Sequence, residues 1–151
     1  MRCLISVFTI SAVALAGCGE RAELDRRMKE LCKIDGGVKV YETVQLTPNM
    51  FQQHGGLLAD TVTKDGVTTT IYANAYVEEQ RTTEIKKGDP LKGEGHLVRW
   101  SSTMTRVMDE KLLGESVQYS RAGGDGFHLG HHTQSLCPEN QQSLFNNVFT
   151  K

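Results

Sequence analysis

From His96 to Gly123 the side chains alternate residue by residue, with one break around Asp109 to Leu112. A period of two sustained over that length is the mark of extended chain. One turn in the middle folds the stretch into an antiparallel hairpin. Val98, Trp100, Ser102, Met104, Arg106 and Met108 share a face of the first strand, and Leu113, Glu115, Val117, Tyr119 and Arg121 share a face of the second. Placing both sets on one side predicts Arg106 opposite Glu115, Met104 opposite Val117, Ser102 opposite Tyr119 and Trp100 opposite Arg121. Two awkward charges then find partners, one a carboxylate and the other an aromatic face. The reverse side pairs Ser101 with Ser120, Thr103 with Gln118 and Thr105 with Ser116, small polar residues suited to water.

The amino terminus is of another kind. Arg2 supplies a positive charge, and Cys3 to Ala16 is apolar apart from Ser6, Thr9 and Ser11. That run of about 14 residues is short of the roughly 20 a helix needs to cross a bilayer, and it has the form of an export signal ending in small residues. Leu15-Ala16-Gly17-Cys18 fits a lipobox throughout, and in this the chain resembles bacterial lipoproteins. The resemblance implies removal of residues 1–17 as a signal peptide and covalent lipid (diacylglyceryl, then palmitate or a similar acyl chain) on Cys18. Two or three acyl chains hold a protein on a membrane where one does so marginally. Gly19 is not the Asp associated in that family with inner-membrane retention, so the expected address is the periplasmic face of the outer membrane.

The mature chain is expected to be one domain over residues 18–151. It retains 16 of the 17 basic residues against 18 acidic ones, so it carries no basic field of the sort that recruits nucleic acid. Of the four cysteines, Cys3 leaves with the signal and Cys18 is used by the lipid. Cys32 and Cys137 remain, an even number in an oxidising compartment, and are expected to form a disulfide. Closing a loop of about 100 residues is worth about 4 to 5 kcal/mol on chain entropy.

Glu20 to Ile34 carries Leu24, Met28, Leu31 and Cys32 at helical spacing, with Glu23–Arg27 and Asp25–Lys29 as acid-before-base pairs and Gly36-Gly37 as a stop. Val38 to Leu46 alternates as one half-buried strand. Thr47-Pro48 opens a short helix through Phe51, which Gly55-Gly56 ends. Lys64-Asp65-Gly66 is a hairpin turn between Leu57–Thr63 and a strand from Val67 to Glu79. Arg81 to Gly95 reads as an exposed loop, and Leu144, Phe145, Val148 and Phe149 mark a carboxyl-terminal helical face. The expected fold is α+β: an antiparallel sheet of about five strands, terminal helices on one face, and one disulfide.

Candidate chemistry is sparse. Phe127 to His132 holds His128, His131 and His132, three imidazoles that could serve zinc or copper beside the glycine-rich Gly123 to Gly126. Glu42 interrupts an apolar face and is a candidate buried charge, either paired with a buried base, at the strand's edge, or held in a cleft with a raised pKa. Trp100 is expected in the core, and Tyr41, Tyr72 and Tyr76 on a solvated strand face. The G-x-S-x-G, H-E-x-x-H and phosphate-loop patterns do not occur. The expectation is a membrane-anchored envelope lipoprotein without catalytic residues or cofactor beyond its lipid, a binding module for another envelope component, in the first place a protein. The alternative is a small-molecule or metal binder using His128, His131 and His132.

Overall fold

A computed structural model describes the backbone of residues 4–51, 57–126 and 132–150, and side chains in the first helix from Gly19 onward. In chain order the elements are α1 (Leu4–Asp35), β1 (Gly37–Val40), β2 (Val44–Gln45), β3 (Ala59–Lys64), β4 (Val67–Tyr72), β5 (Tyr76–Lys86), β6 (His96–Arg106), β7 (Lys111–Ala122), β8 (Gln134–Cys137), α2 (Leu144–Val148) and β9 (Phe149–Thr150). Single 3₁₀ turns occupy Pro48–Met50 and Pro90–Lys92. Among the described residues, no helix is long and apolar enough to cross a membrane.

Seven strands form an antiparallel sheet in the order β1-β7-β6-β5-β4-β3, two more than the sequence suggested. β8 joins the same edge of β7 as β1, further along it: β1 lies opposite Gly114 to Val117 and β8 opposite Tyr119 to Ala122. β2 and β9 make a separate parallel pair. The Cys32–Cys137 disulfide is present, with Cα atoms 6.0 Å apart.

The β6–β7 register differs from the sequence expectation. Trp100 lies opposite Gln118, Ser102 opposite Ser116 and Met104 opposite Gly114; Arg106 meets Lys111 after a bulge. The bulge leaves Leu113 beside Gly114, where it joins Met104 in one core. The parity of the pairs therefore sorts the two strands differently. Leu97, Arg99, Val117, Tyr119 and Arg121 occupy one face, and Trp100, Ser102, Met104, Ser116 and Gln118 the other.

Each face has its own helix. Leu24, Met28 and Cys32 of α1 pack on Leu97, Val117 and Tyr119, with Leu31 alongside. Leu144, Val148 and Phe149 pack on Met104 and Leu113, ringed by Tyr72, Tyr76 and Phe145. The terminal helices therefore cover opposite faces instead of sharing one. An alanine Cβ at Gly114 would sit 3.0 Å from Val148 Cγ2 and 3.1 Å from Leu144 Cδ1, so the absent side chain is what lets α2 approach.

Arg121 organises the α1 face. It is 1 % exposed, and its guanidinium donates to Asp25 at 2.8 and 3.2 Å, to the Gly123 and Thr133 carbonyls at 3.1 and 3.0 Å, and to Thr133 Oγ1 at 2.6 Å. Asp25 is thus committed to the sheet instead of to Lys29, and Arg26, not Arg27, takes Glu23 and Glu30 at 2.6 and 2.7 Å. At the end of α1, Asp35 accepts from Tyr119 at 2.7 Å and from Arg99 at 2.9 Å. Burial works to raise the Asp35 carboxyl, but the bonds from Tyr119 and Arg99 outweigh it and hold the group below its ordinary value.

Several expected segments divide or shorten. Val38 to Leu46 is two strands with different partners, separated at Tyr41 to Thr43. Val67 to Glu79 turns back at Ala73-Asn74, both at positive φ, before Tyr76 pairs with Tyr72. The expected loop from Arg81 begins only after Lys86, because Arg81 to Lys86 extend β5. The remaining loop is docked: a Cβ on Gly93 would run into the Gly126 carbonyl, and Gly95 abuts Leu24. Gly55 and Gly56 lie outside the described residues.

Removing the carboxylate from beside a buried guanidinium is costly because the charge stays behind. Asp25→Ala is expected to lower the unfolding free energy in urea by about 3 kcal/mol, near the low end of that class because two carbonyls and a hydroxyl remain on Arg121. Asp35, whose folded pKa is depressed, contributes stability that is present above about pH 4 and lost as pH falls through its folded value. Urea titrations on either side of that pH should therefore show Asp35→Asn destabilised at neutral pH, with the gap to the parent closing in acid.

Candidate functional site

The face covered by α2 is only half covered. α2 lies over the Tyr72–Tyr76 end of the sheet, where Tyr72, Tyr76, Phe145 and Phe149 stack with ring centroids 4.6 to 6.0 Å apart. Beside its amino end the same face opens into a groove of about 370 Å³. Trp100 and Gln118 stand on one side of it, and Gln141 and Ser143 of the segment leading into α2 on the other. Gln118 Nε2 donates to the Pro138 carbonyl at 2.9 Å, tying that segment to β7. Ser143 caps α2 through Asn146 N at 3.3 Å.

Glu78 forms the floor. It is 3 % exposed, and each donor it receives from the described residues is uncharged: Tyr72 OH at 2.9 Å on Oε2, and Gln80 Nε2 at 3.1 Å and Ser102 Oγ at 2.6 Å on Oε1. A carboxylate offers about four acceptor positions, so Oε2 retains capacity for another donor. Burial raises the Tyr72 phenol, and the neighbouring Glu78 charge raises it further, which keeps the hydroxyl a donor at any physiological pH. Ser102 meets Glu78 directly with no imidazole between them. The contact orients both groups.

Trp100 is the sole tryptophan of the chain and is 47 % exposed, lining the groove instead of entering the core. Gln141 Oε1 is buried with no hydrogen-bond partner.

The residues singled out from sequence fall elsewhere. Glu42 is partly exposed and pairs with Arg106 and Lys111, both at 2.5 Å. Lys111 and then Arg106 lower its pKa, so the reading that holds is pairing with bases at a strand's end, not a raised pKa in a cleft. Tyr72 and Tyr76 belong to the aromatic core; only Tyr41 is solvated, donating to Glu115 at 2.9 Å. His128 and His131 lie outside the described residues, and His132 is exposed. Among the described residues no three His, Cys, Asp or Glu groups are placed to hold a metal. The glycine-rich Gly123 to Gly126 is docked: Asp125 accepts from Thr133 at 2.6 and 2.9 Å and pairs with Arg21 at 3.2 Å. Cys18 lies within α1.

Sequence reasoning missed Glu78 because nothing local separates it from the exposed Glu79 beside it. Trp100 had a signal in its strand alternation, but the assumed register turned it toward the core.

The groove makes Trp100 a direct reporter. Acrylamide should quench its emission with an efficiency close to that of an exposed indole, and denaturation should add little; strong protection in the native state would contradict the structure. No protein-family model, curated protein or solved structure matches this chain.

Proposed function

We propose that this chain is a lipid-anchored protein of the bacterial cell envelope, held through Cys18, whose domain is a non-enzymatic binding module facing the periplasm. The observation that carries this reading is the position of the lipobox relative to the fold. Leu15 to Cys18 lies within α1, and the part of that helix just after it is docked: Glu20 pairs with Lys86, and Arg21 N donates to the Gly124 carbonyl at 3.1 Å. Cleavage before Cys18 leaves that docked portion whole and leaves Gly19 as the only spacer. A domain on so short a leash rides beside the headgroups.

The binding role is supported by the groove. It combines an exposed aromatic, Trp100, with a largely polar lining, and its one carboxylate, Glu78, is held by the uncharged donors Tyr72, Gln80 and Ser102. The module would serve another component of the envelope, on the outer-membrane side given Gly19.

In cells supplied with an alkynyl fatty acid, the wild-type chain should take up label and Cys18→Ser should not. Inhibiting the lipoprotein signal peptidase should accumulate a precursor longer by residues 1–17, and fractionation should place the labelled form in the outer membrane. Label persisting on Cys18→Ser would overturn the anchor.

A further inference from the structure

The groove continues onto the outer strands of the same face. Reading across the registers, Ser116 of β7 lies opposite Ser102 of β6, Ser102 opposite Gln80 of β5, Gln80 opposite Thr68 of β4, and Thr68 opposite Thr63 of β3. The row carries no charge, but Ser102 and Ser116 in it are buried; the accessible positions run from Trp100 on β6 through Gln80 and Thr68 to Thr63 on β3, about 14 Å at the usual strand spacing of about 4.8 Å. Directly opposed residues share a face. The next row toward the strand ends holds Gln118, Trp100 and Thr82, and the row on the other side holds Glu78, Thr70 and Thr61. Thr61 and Thr70, and Thr63 and Thr68, are linked through their hydroxyls at 3.1 Å, which holds the rotamers of the outer pairs.

The reverse face of the same strands is different. The row through Val117, Ser101, Arg81, Val67 and Lys64 carries two cations, and the row through Glu115, Thr103, Glu79, Thr69 and Val62 carries two carboxylates. Charge is thus concentrated on one side of the outer sheet; on the other, the rows around Trp100 and Gln80 carry Glu78 in the floor and Glu84 opposite Val98 at the strand end, and Arg81 also borders the groove. A neutral row of paired donors and acceptors recognises a neutral ligand rich in hydroxyls. An exposed indole beside it supplies a flat, electron-rich face for the polarised C–H groups of a pyranose ring. Glu78 Oε2, with acceptor capacity left, supplies one charge-assisted bond to a hydroxyl or an acetamido N–H.

We infer that the open half of this face binds a neutral saccharide chain, with Trp100 as the stacking platform, Glu78 as the acceptor at the floor, and the accessible Gln80, Thr68 and Thr63 as the track along which further sugar units lie. The inference rests on the binding-module reading and names its ligand class. The width of the row calls for an oligosaccharide over a single sugar.

The experiment uses the full lipidated chain in detergent, with cellotetraose and the β-linked tetramer of N-acetylglucosamine as probes. Because Trp100 is the only tryptophan, its emission should shift saturably with one or both tetramers in the millimolar range or tighter, and the corresponding monosaccharides should bind at least tenfold more weakly. By calorimetry, Glu78→Gln should weaken tetramer binding about tenfold through loss of the charge-assisted bond. Trp100→Ala should abolish detectable binding, and Thr63→Glu, at an exposed position, should weaken the tetramer while leaving the fold intact. Absence of both heat and emission change up to about 10 mM of either tetramer would overturn the saccharide assignment. So would binding that survives in Trp100→Ala and Glu78→Gln, or specific crosslinking of an envelope protein across Trp100 with no sugar binding. That last outcome would leave the binding-module reading standing, whereas loss of lipid labelling on the wild-type chain would remove the anchor independently of any sugar.

Discussion

Arg121 is the point on which the two halves of the architecture depend. A guanidinium at 1 % exposure bears a desolvation cost of several kcal/mol, which is offset only if its donors are satisfied. The partners come from three places far apart in sequence: Asp25 in the first helix, the Gly123 carbonyl just past β7, and Thr133 ahead of β8. Thr133 in turn donates to Asp125, and Asp125 pairs with Arg21, so the network returns to the helix one turn before Asp25. Along α1 this node is followed by the disulfide at Cys32 and the Asp35 contacts to Arg99 and Tyr119. The helix is fixed at three successive points, each by a different kind of interaction, and its apolar stripe fills the space between them.

The same node explains the register. Moving β7 by one residue against β6 would turn Arg121 out of the helix interface and onto the opposite face. From sequence, the natural partner for Arg121 was a residue on the neighbouring strand, and Trp100 was at hand. The actual partner is a carboxylate in α1, whose own sequence neighbours suggested Lys29 instead. Pairing rules act on residues a few positions apart along a helix or directly across a ladder, and they have no purchase on a contact made between layers.

Legibility followed burial. The α1 stripe and the α2 face were readable because each combines a periodic pattern with one buried side, the Asp65-Gly66 hairpin because of its own turn residues, and the disulfide because only Cys32 and Cys137 were left to pair. The extent of β5 was not: it carries polar residues on both sides, so the contrast that marks a half-buried strand is missing beyond Glu79. The second turn escaped notice because Ala73 is an unusual residue for positive φ, and only Asn74 beside it fits a turn vocabulary. The site lay in this poorly legible region. Ser116 and Ser120 looked like a solvated surface, yet both are buried, screened by neighbouring strands and by the segment from Pro138 to Ser143.

Placing the two helices on opposite faces has a functional consequence. A sheet with both helices on one side would have covered the Trp100 region with one of them, leaving its other face wholly exposed. Here α1 takes one face and α2, only five residues long, takes part of the other. Its brevity is what leaves Trp100, Gln80 and Thr82 open, and Gly114 lets it sit deep enough over Met104 and Leu113 to close a core despite that brevity. In the proposed lipoprotein the anchor leads into α1, so the lipid and the groove belong to opposite faces of the sheet. The lipidated end is then held to the membrane by one layer while the binding layer is directed away from that helix, which allows tight tethering without covering the groove.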